Sequence, residues 1–132
     1  MENNRAIKPA AQPEELNRFF EERLNAGDVE GLVTLYESEA TLSSVTGEVV
    51  SGTEAIRRQL EQLIARKPRI KGTPRAALRC GELALTSTKF SGQSTDSEGQ
   101  RVEINGTTAE VARRQPDGTW QWVIDEPNIL RS

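Results

Sequence analysis

A chain of 132 residues with no histidine is the size of one domain and long enough to bury a core; Ser–His and Cys–His nucleophile systems and histidine-ligated zinc or iron are excluded. With 17 basic and 20 acidic residues the formal net charge is −3, which argues against a nucleic-acid face, and the single cysteine, Cys80, excludes an internal disulfide and a cysteine-cluster metal site. No window approaches the roughly 20 apolar residues of a membrane helix, and MENNRAIKPAAQPEE lacks the apolar core of a signal peptide, so the expected compartment is the cytoplasm.

Residues 1–12 read as a polar tail. A first helix is expected from Pro13, which suits the first helical position, with Glu14 and Glu15 at the positive end of the dipole and an apolar stripe of Leu16, Phe19, Phe20 and Leu24. Gly27 is expected to end it and Asp28 to cap a short second helix over Val29 to Tyr36, broken by Glu37-Ser38-Glu39. Ala40 to Val45 alternates as a strand, Thr46-Gly47 is a turn into Glu48-Val49-Val50, and Ser51 with Glu54 has the spacing of a capping box. Ile56, Leu60, Leu63 and Ile64 then form the stripe of a third helix that Pro68 stops.

From Arg69 onward the period changes to alternation. A weak strand is expected over Ile70 to Cys80, interrupted by Gly72 and Pro74, and a better one over Leu83 to Phe90. Residues 91–100 read as a polar hairpin tip, Val102 to Arg114 as a long strand kinked at Gly106, and Thr119 to Asp125, after the Pro116-Asp117-Gly118 turn, as the last strand. The sum is an α+β domain with helices on one face of a curved antiparallel sheet. On the last strand, strict alternation puts Trp120, Trp122 and Ile124 on one face and Gln121, Val123 and Asp125 on the other. Two tryptophans there suit a core or a dimer interface.

LNAGDVEGLVTLYESEATL (residues 24–42), SGTEAI (51–56) and RRQPDGTWQWVIDEP (113–127), in this order and spacing, resemble the nuclear transport factor 2-like superfamily, in its SnoaL-like and ketosteroid-isomerase-like branch. The resemblance spans residues 13–128, leaving short tails at 1–12 and 129–132. It implies a cone-shaped barrel: a curved antiparallel sheet wrapped around three N-terminal helices, a pocket open at one end, and homodimers through the outer face of the sheet.

The resemblance also implies a test of isomerase chemistry. The family's oxyanion-hole tyrosine falls at Phe20 and its catalytic base at Ser44, so donor and base are both lost. Of two supporting tyrosines, one matches Tyr36 and the other falls at Leu60; the carboxylic acid of the penultimate strand falls near Glu110. Steroid isomerase activity is therefore not expected. The facing implied by the family places Glu110, Thr108, Gln121, Val123 and Asp125 toward the pocket, with Phe19, Phe20, Tyr36, Leu42, Leu60 and Ile64 as walls and Ser44 orienting a ligand. Trp120 and Trp122 are left for the outer, dimer-forming face.

Two carboxylates in an apolar cleft are the makings of an acid–base catalyst. The first expectation is thus a small-molecule lyase, isomerase or cyclase, with Asp125 as base and Glu110 as acid or hydrogen-bond donor, acting on a small apolar or polycyclic ligand without cofactor or metal. A structural role competes with it: Asp125 paired with Arg113, Arg114 or an open backbone N–H at the strand end, and Glu110 in an ordinary cross-strand pair with an arginine. The second expectation is a non-enzymatic homodimeric binding or assembly module, which an interior filled by side chains would favour. Basic residues between Arg57 and Arg79 suit a solvated surface, so no nucleic-acid partner is expected.

Overall fold

The structure, a computed structural model, describes residues 7–44 and 46–129. Helix α1 (Pro13–Asn25) starts on its proline and buries Leu16, Phe19 and Leu24. Gly27 takes a positive φ of 71°, open to glycine, and turns the chain back. Asp28 then caps α2 (Val29–Val33) by accepting the Gly31 N–H at 3.0 Å. The second helix is shorter than expected, because tertiary pairing overrides local helical spacing. The Trp122 N–H donates to the Leu35 carbonyl at 2.7 Å, and Tyr36 opens strand β1 (Tyr36–Ser43) instead of closing the helix.

Strand β2 (Val49–Ser51) leads into α3 (Thr53–Ala65), where the expected capping box is not formed. Gly52 occupies the N-cap position at φ 93°, and the Ser51 hydroxyl bonds Thr41 Oγ1 across the hairpin at 2.9 Å. Seven strands follow: β3 (Arg69–Pro74), β4 (Leu78–Cys80), β5 (Leu83–Thr86), β6 (Thr88–Thr95), β7 (Arg101–Thr107), β8 (Ala109–Arg114) and β9 (Trp120–Glu126). The ladder breaks at Ser87 and Thr108, leaving Gly106 inside β7. There the Ser87 hydroxyl donates to the Thr108 carbonyl at 2.7 Å, and the Thr88 N–H donates to Thr108 Oγ1 at 2.9 Å.

That stitch divides the strands into a six-stranded sheet, ordered β2-β1-β9-β8-β5-β4, and a three-stranded sheet, β3-β6-β7. Among the described pairings all are antiparallel except β1 with β9. The α+β expectation holds, with three helices against a curved sheet, but the sheet stays open and does not close into a barrel. One free edge is covered by α1. The Asn25 side-chain amide pairs with both the N–H and the carbonyl of Ile70 at 2.8 Å, standing in for a neighbouring strand. Residues before α1 are also engaged: Ala10 is 1% exposed and accepts the Trp120 N–H at 2.9 Å.

The last strand departs from alternation at one residue. Val111 faces Ile124 and Ala112 faces Trp122, so Val123 is a bulge. On the other side, Tyr36 faces Trp122 and Thr41 faces Ile124, so residues 37–40 arch out against the same residue. The bulge resets the phase of β9. Trp120, Trp122 and Asp125 are all buried, at 5%, 2% and 6% exposure, while Ile124 is 49% exposed. The expectation that the indoles face outward as a dimer interface is thus corrected: both belong to the core of the single chain.

Candidate active site

Cross-strand register assembles one inward row from four strands: Leu42, Asp125, Glu110 and Thr86 are successive Cα partners across β1, β9, β8 and β5. Two carboxyl groups therefore stand side by side in the interior, 3% exposed for Glu110 and 6% for Asp125. Neither is explained by the competing pairings with arginine. Arg113 bonds Glu37 at 2.9 Å and Arg114 bonds Glu82 at 2.7 Å, both on the exposed side.

Neutral donors satisfy the pair. The Tyr36 hydroxyl donates to Asp125 Oδ2 at 2.6 Å. Glu110 Oε1 accepts from Thr86 Oγ1 at 2.7 Å and from Asn17 Nδ2 at 3.1 Å. Trp122 Nε1–H in turn donates to Thr86 Oγ1 at 3.1 Å, so the buried indole holds the threonine hydroxyl that faces the acid. Tyr36 and Trp122 meet as tilted rings at a 5.5 Å centroid separation, and Phe20 reaches Trp122 at 5.9 Å.

Burial sets the electrostatics. Together with the neighbouring Glu110 charge, and against the Tyr36 hydrogen bond, it pushes the Asp125 carboxyl up to about 8. Burial likewise raises Glu110, against hydrogen bonds from Thr108, Thr86 and Asn17 that stabilise its anion. Tyr36 is held well above its ordinary value, first by burial and then by Asp125. At neutral pH Asp125 is thus a buried acid carrying its proton, able to give it up near physiological pH.

The sequence-selected residues divide into those brought to this site and those placed elsewhere. Glu110, Asp125, Tyr36, Leu42, Thr108 and Phe20 meet there. Phe19 is buried on another side, beneath Arg18 and Arg23 at 5.1 and 4.7 Å from its ring centre. The Ser44 hydroxyl is committed to its own turn, meeting Thr46 Oγ1 at 2.9 Å and the Glu48 N–H at 3.1 Å. Gln121 donates to the Thr34 carbonyl at 3.0 Å, outside the row, because the bulge has moved it out of phase with Asp125. Leu60 is core, Ile64 packs at the Gly27 turn, and Val123 is the bulge itself.

Asn17 and Thr86 were not among the selected residues. Asn17 lies within the helical stripe Pro13, Leu16, Phe20, Leu24, where a lone amide is a signal of a buried polar partner. Thr86 is hidden because its strand inverts the usual pattern: Ala84 and Thr86 turn inward while Leu83 and Leu85 are exposed.

Two clefts open on the surface. One, of about 480 Å³, lies between Pro9-Ala10 and the turn from Gln115 to Thr119; the other, of about 580 Å³, lies over the arch of residues 37–39. Neither is lined by Glu110 or Asp125. The inward faces of the three-stranded sheet nevertheless keep some solvent exposure. Ile70, Phe90 and Ile104 alternate with Gly72, Gly92 and Gly106 there, and all six are only half-buried. Among the described residues no cluster of carboxylates or thiols is placed to hold a metal ion, and no helix is long and apolar enough to cross a membrane.

No curated protein matches the chain. A ketosteroid isomerase-like protein from Erwinia carotovora superposes with a TM-score of 0.78 at 12% identity, covering 86% of this chain and 89% of its own. A Xanthomonas campestris protein named for the calcium/calmodulin dependent protein kinase II association domain gives 0.70 at 21% identity, covering 92% and 94%. The epoxide hydrolase/cyclase-like enzyme SalBIII, of salinomycin pyran ring formation, gives 0.68 at 22% identity, covering 85% of each chain. At such identities the likeness is one of fold. The sequence model of the SnoaL-like domain, however, matches residues 16–123, and the chain belongs to that family within the nuclear transport factor 2-like superfamily.

Proposed function

We propose that this chain binds a small molecule at the Glu110–Asp125 pair and performs acid–base chemistry of the lyase, isomerase or cyclase kind, with Asp125 as the proton-transfer group. The observation that carries the reading is the buried carboxyl pair on β8 and β9, hydrogen-bonded by neutral donors only. Burying such groups is costly, and apolar residues of equal volume would stabilise a mere scaffold better. Acids pushed toward neutrality in a folded interior are what proton transfer at pH 7 uses. Glu110 has the role of a positioned acid or hydrogen-bond donor, and Tyr36 orients Asp125.

Ligands found by a thermal-shift screen of small ketones, epoxides, alcohols and amines serve as probes. Asp125→Asn and Glu110→Gln are expected to abolish turnover of any ligand that reacts and to weaken binding of those that do not by roughly tenfold or more. Unchanged turnover and binding in both variants would move function away from this pair.

A second reading, a homodimeric assembly module, is favoured by a different observation. On the outer face of the six-stranded sheet, Leu78, Leu85, Val111 and Ile124 are successive cross-strand partners, forming one apolar row. Leu78 is 67% exposed, Leu85 45% and Ile124 49%. Such a row on a single chain is suited to self-association. Sedimentation is expected to show a dimer that Leu85→Lys with Ile124→Lys converts to a folded monomer. A wild-type monomer at tens of micromolar would remove the module.

A further inference from the structure

The charges around the interior acids point to the chemistry of what they bind. Every described ion pair holds its cation on carboxylates other than Glu110 and Asp125. The same division runs through the aromatic rings. Four described cation–π contacts place Lys8, Arg18 and Arg23 over Phe19 and Arg79 over Trp120. Tyr36, which bonds Asp125, and Trp122 and Phe20, which pack in tilted contact with it in turn, receive none among the described contacts. The described cations thus go to Phe19, Trp120 and carboxylates away from the pair, and none of the described contacts brings one to the rings nearest the acids.

Tilted aromatic faces together with carboxyl groups are the surroundings in which an organic cation is held, by ring quadrupole and by charge-assisted hydrogen bonds. Resting on the reading of Glu110–Asp125 as a ligand site, we infer that its ligand class is a protonated amine carrying an apolar group. The ammonium lies against Asp125 and Glu110, and the apolar group lies toward Phe20 and the half-buried inner face of Ile70 and Ile104. A carboxylate ligand is disfavoured by the two acids, and a neutral alcohol of the same shape gains only hydrogen bonds.

The recognition has a proton signature. An ammonium beside Asp125 favours its ionised form, so binding drives a proton off that carboxyl. The titratable groups facing Asp125 are Glu110 from β8, Tyr36 from β1 and Glu126 from its own strand, none of them cationic. Affinity is accordingly expected to rise with pH up to about 8, where Asp125 is already ionised.

The experiment is isothermal titration calorimetry on the full chain with a graded series of primary amines, from butylamine to phenylpropylamine and adamantylamine. Each is matched by its alcohol and its carboxylate, at pH 6.5 and 7.5 in two buffers of different ionisation enthalpy. At least one amine is expected to bind tenfold or more tighter than its alcohol and to release close to one proton per molecule. Asp125→Asn is expected to erase the preference, so that amine and alcohol bind equally, and Glu110→Gln to reduce it. Alcohols binding as tightly as amines, with no proton release, would overturn the cationic class and leave the ligand site standing. No binding by any member, wild type or variant, would overturn both. An amine preference retained in both folded variants would place the cation elsewhere and also overturn the inference.

Discussion

Asp125→Asn is expected to stabilise the folded chain at pH 8.5 by several kcal/mol and to change it little at pH 4. The wild-type carboxyl has its folded pKa raised from 3.8 to about 8. A group raised in this way adds stability that is full below its unfolded value, declines through the interval between the two values, and is lost above the folded one. Each factor of ten in proton affinity is worth about 1.4 kcal/mol. A rise from 3.8 to about 8 therefore corresponds to a penalty on the order of 5 kcal/mol once the buried group must ionise. Relaxation around a buried charge makes that a ceiling. Asparagine has nearly the shape of the protonated acid, and its Oδ1 still accepts the Tyr36 hydroxyl, so the variant keeps the geometry and sheds the charge.

Urea unfolding of both proteins from pH 4 to 9 reads the effect directly. The wild-type stability should fall relative to the variant between pH 4 and 8 and run parallel to it beyond. Glu110→Gln, measured beside it, separates the contribution of the second carboxyl, which burial also raises. Parallel profiles across the whole range would mean that the ionised acid is compensated in the interior, against the arrangement of neutral donors. A penalty of this kind on a chain whose whole stability is ~5–15 kcal/mol is large for a group with no task, which ties the stability experiment to the function proposed for the site.

How far the sequence was legible depended on whether one local signal decided the element. Pro13 with Glu14 and Glu15, the Asp28 cap, Gly27 and the Pro116-Asp117-Gly118 turn each act through their own backbone, and each lies where expected. Family register pointed Glu110 and Asp125 inward, and both side chains are buried. What escaped depends on pairing across the sheet. The Val123 bulge is set by both neighbours of β9, and nothing in WQWVIDE marks it, so alternation sent the indoles outward and brought Gln121 inward. Leu83 and Leu85 invite burial by composition, yet their strand turns Ala84 and Thr86 inward, because the space beside Trp122 and Glu110 takes a methyl and a hydroxyl. The break at Thr108 was displaced from the obvious Gly106 for a similar reason: a side-chain hydroxyl, and not backbone freedom, bends the ladder there.

The reassigned tryptophan yields the second large effect. Trp122→Ala is expected to cost about 3–5 kcal/mol, enough to unfold much of the population of a domain of ordinary stability. At 2% exposure its indole is the largest of the fully buried side chains, wedged between Tyr36 and Phe20 and bonded through Nε1 to Thr86. Truncation removes packing on both faces and loosens the hydroxyl that faces Glu110. Trp122→Phe retains most of the volume and lacks only the N–H donor, so about 1–2 kcal/mol is expected, with a shifted Glu110 titration as its local signature. An interface residue would behave otherwise: truncation would leave a stable monomer and change only the concentration at which it associates. Ile124→Ala, one bulge away and half-exposed, is expected to do that, with less than about 1 kcal/mol of monomer stability lost. Denaturant midpoints and sedimentation on the same two variants separate core from interface, and the reverse pattern would return the indole to the outer face.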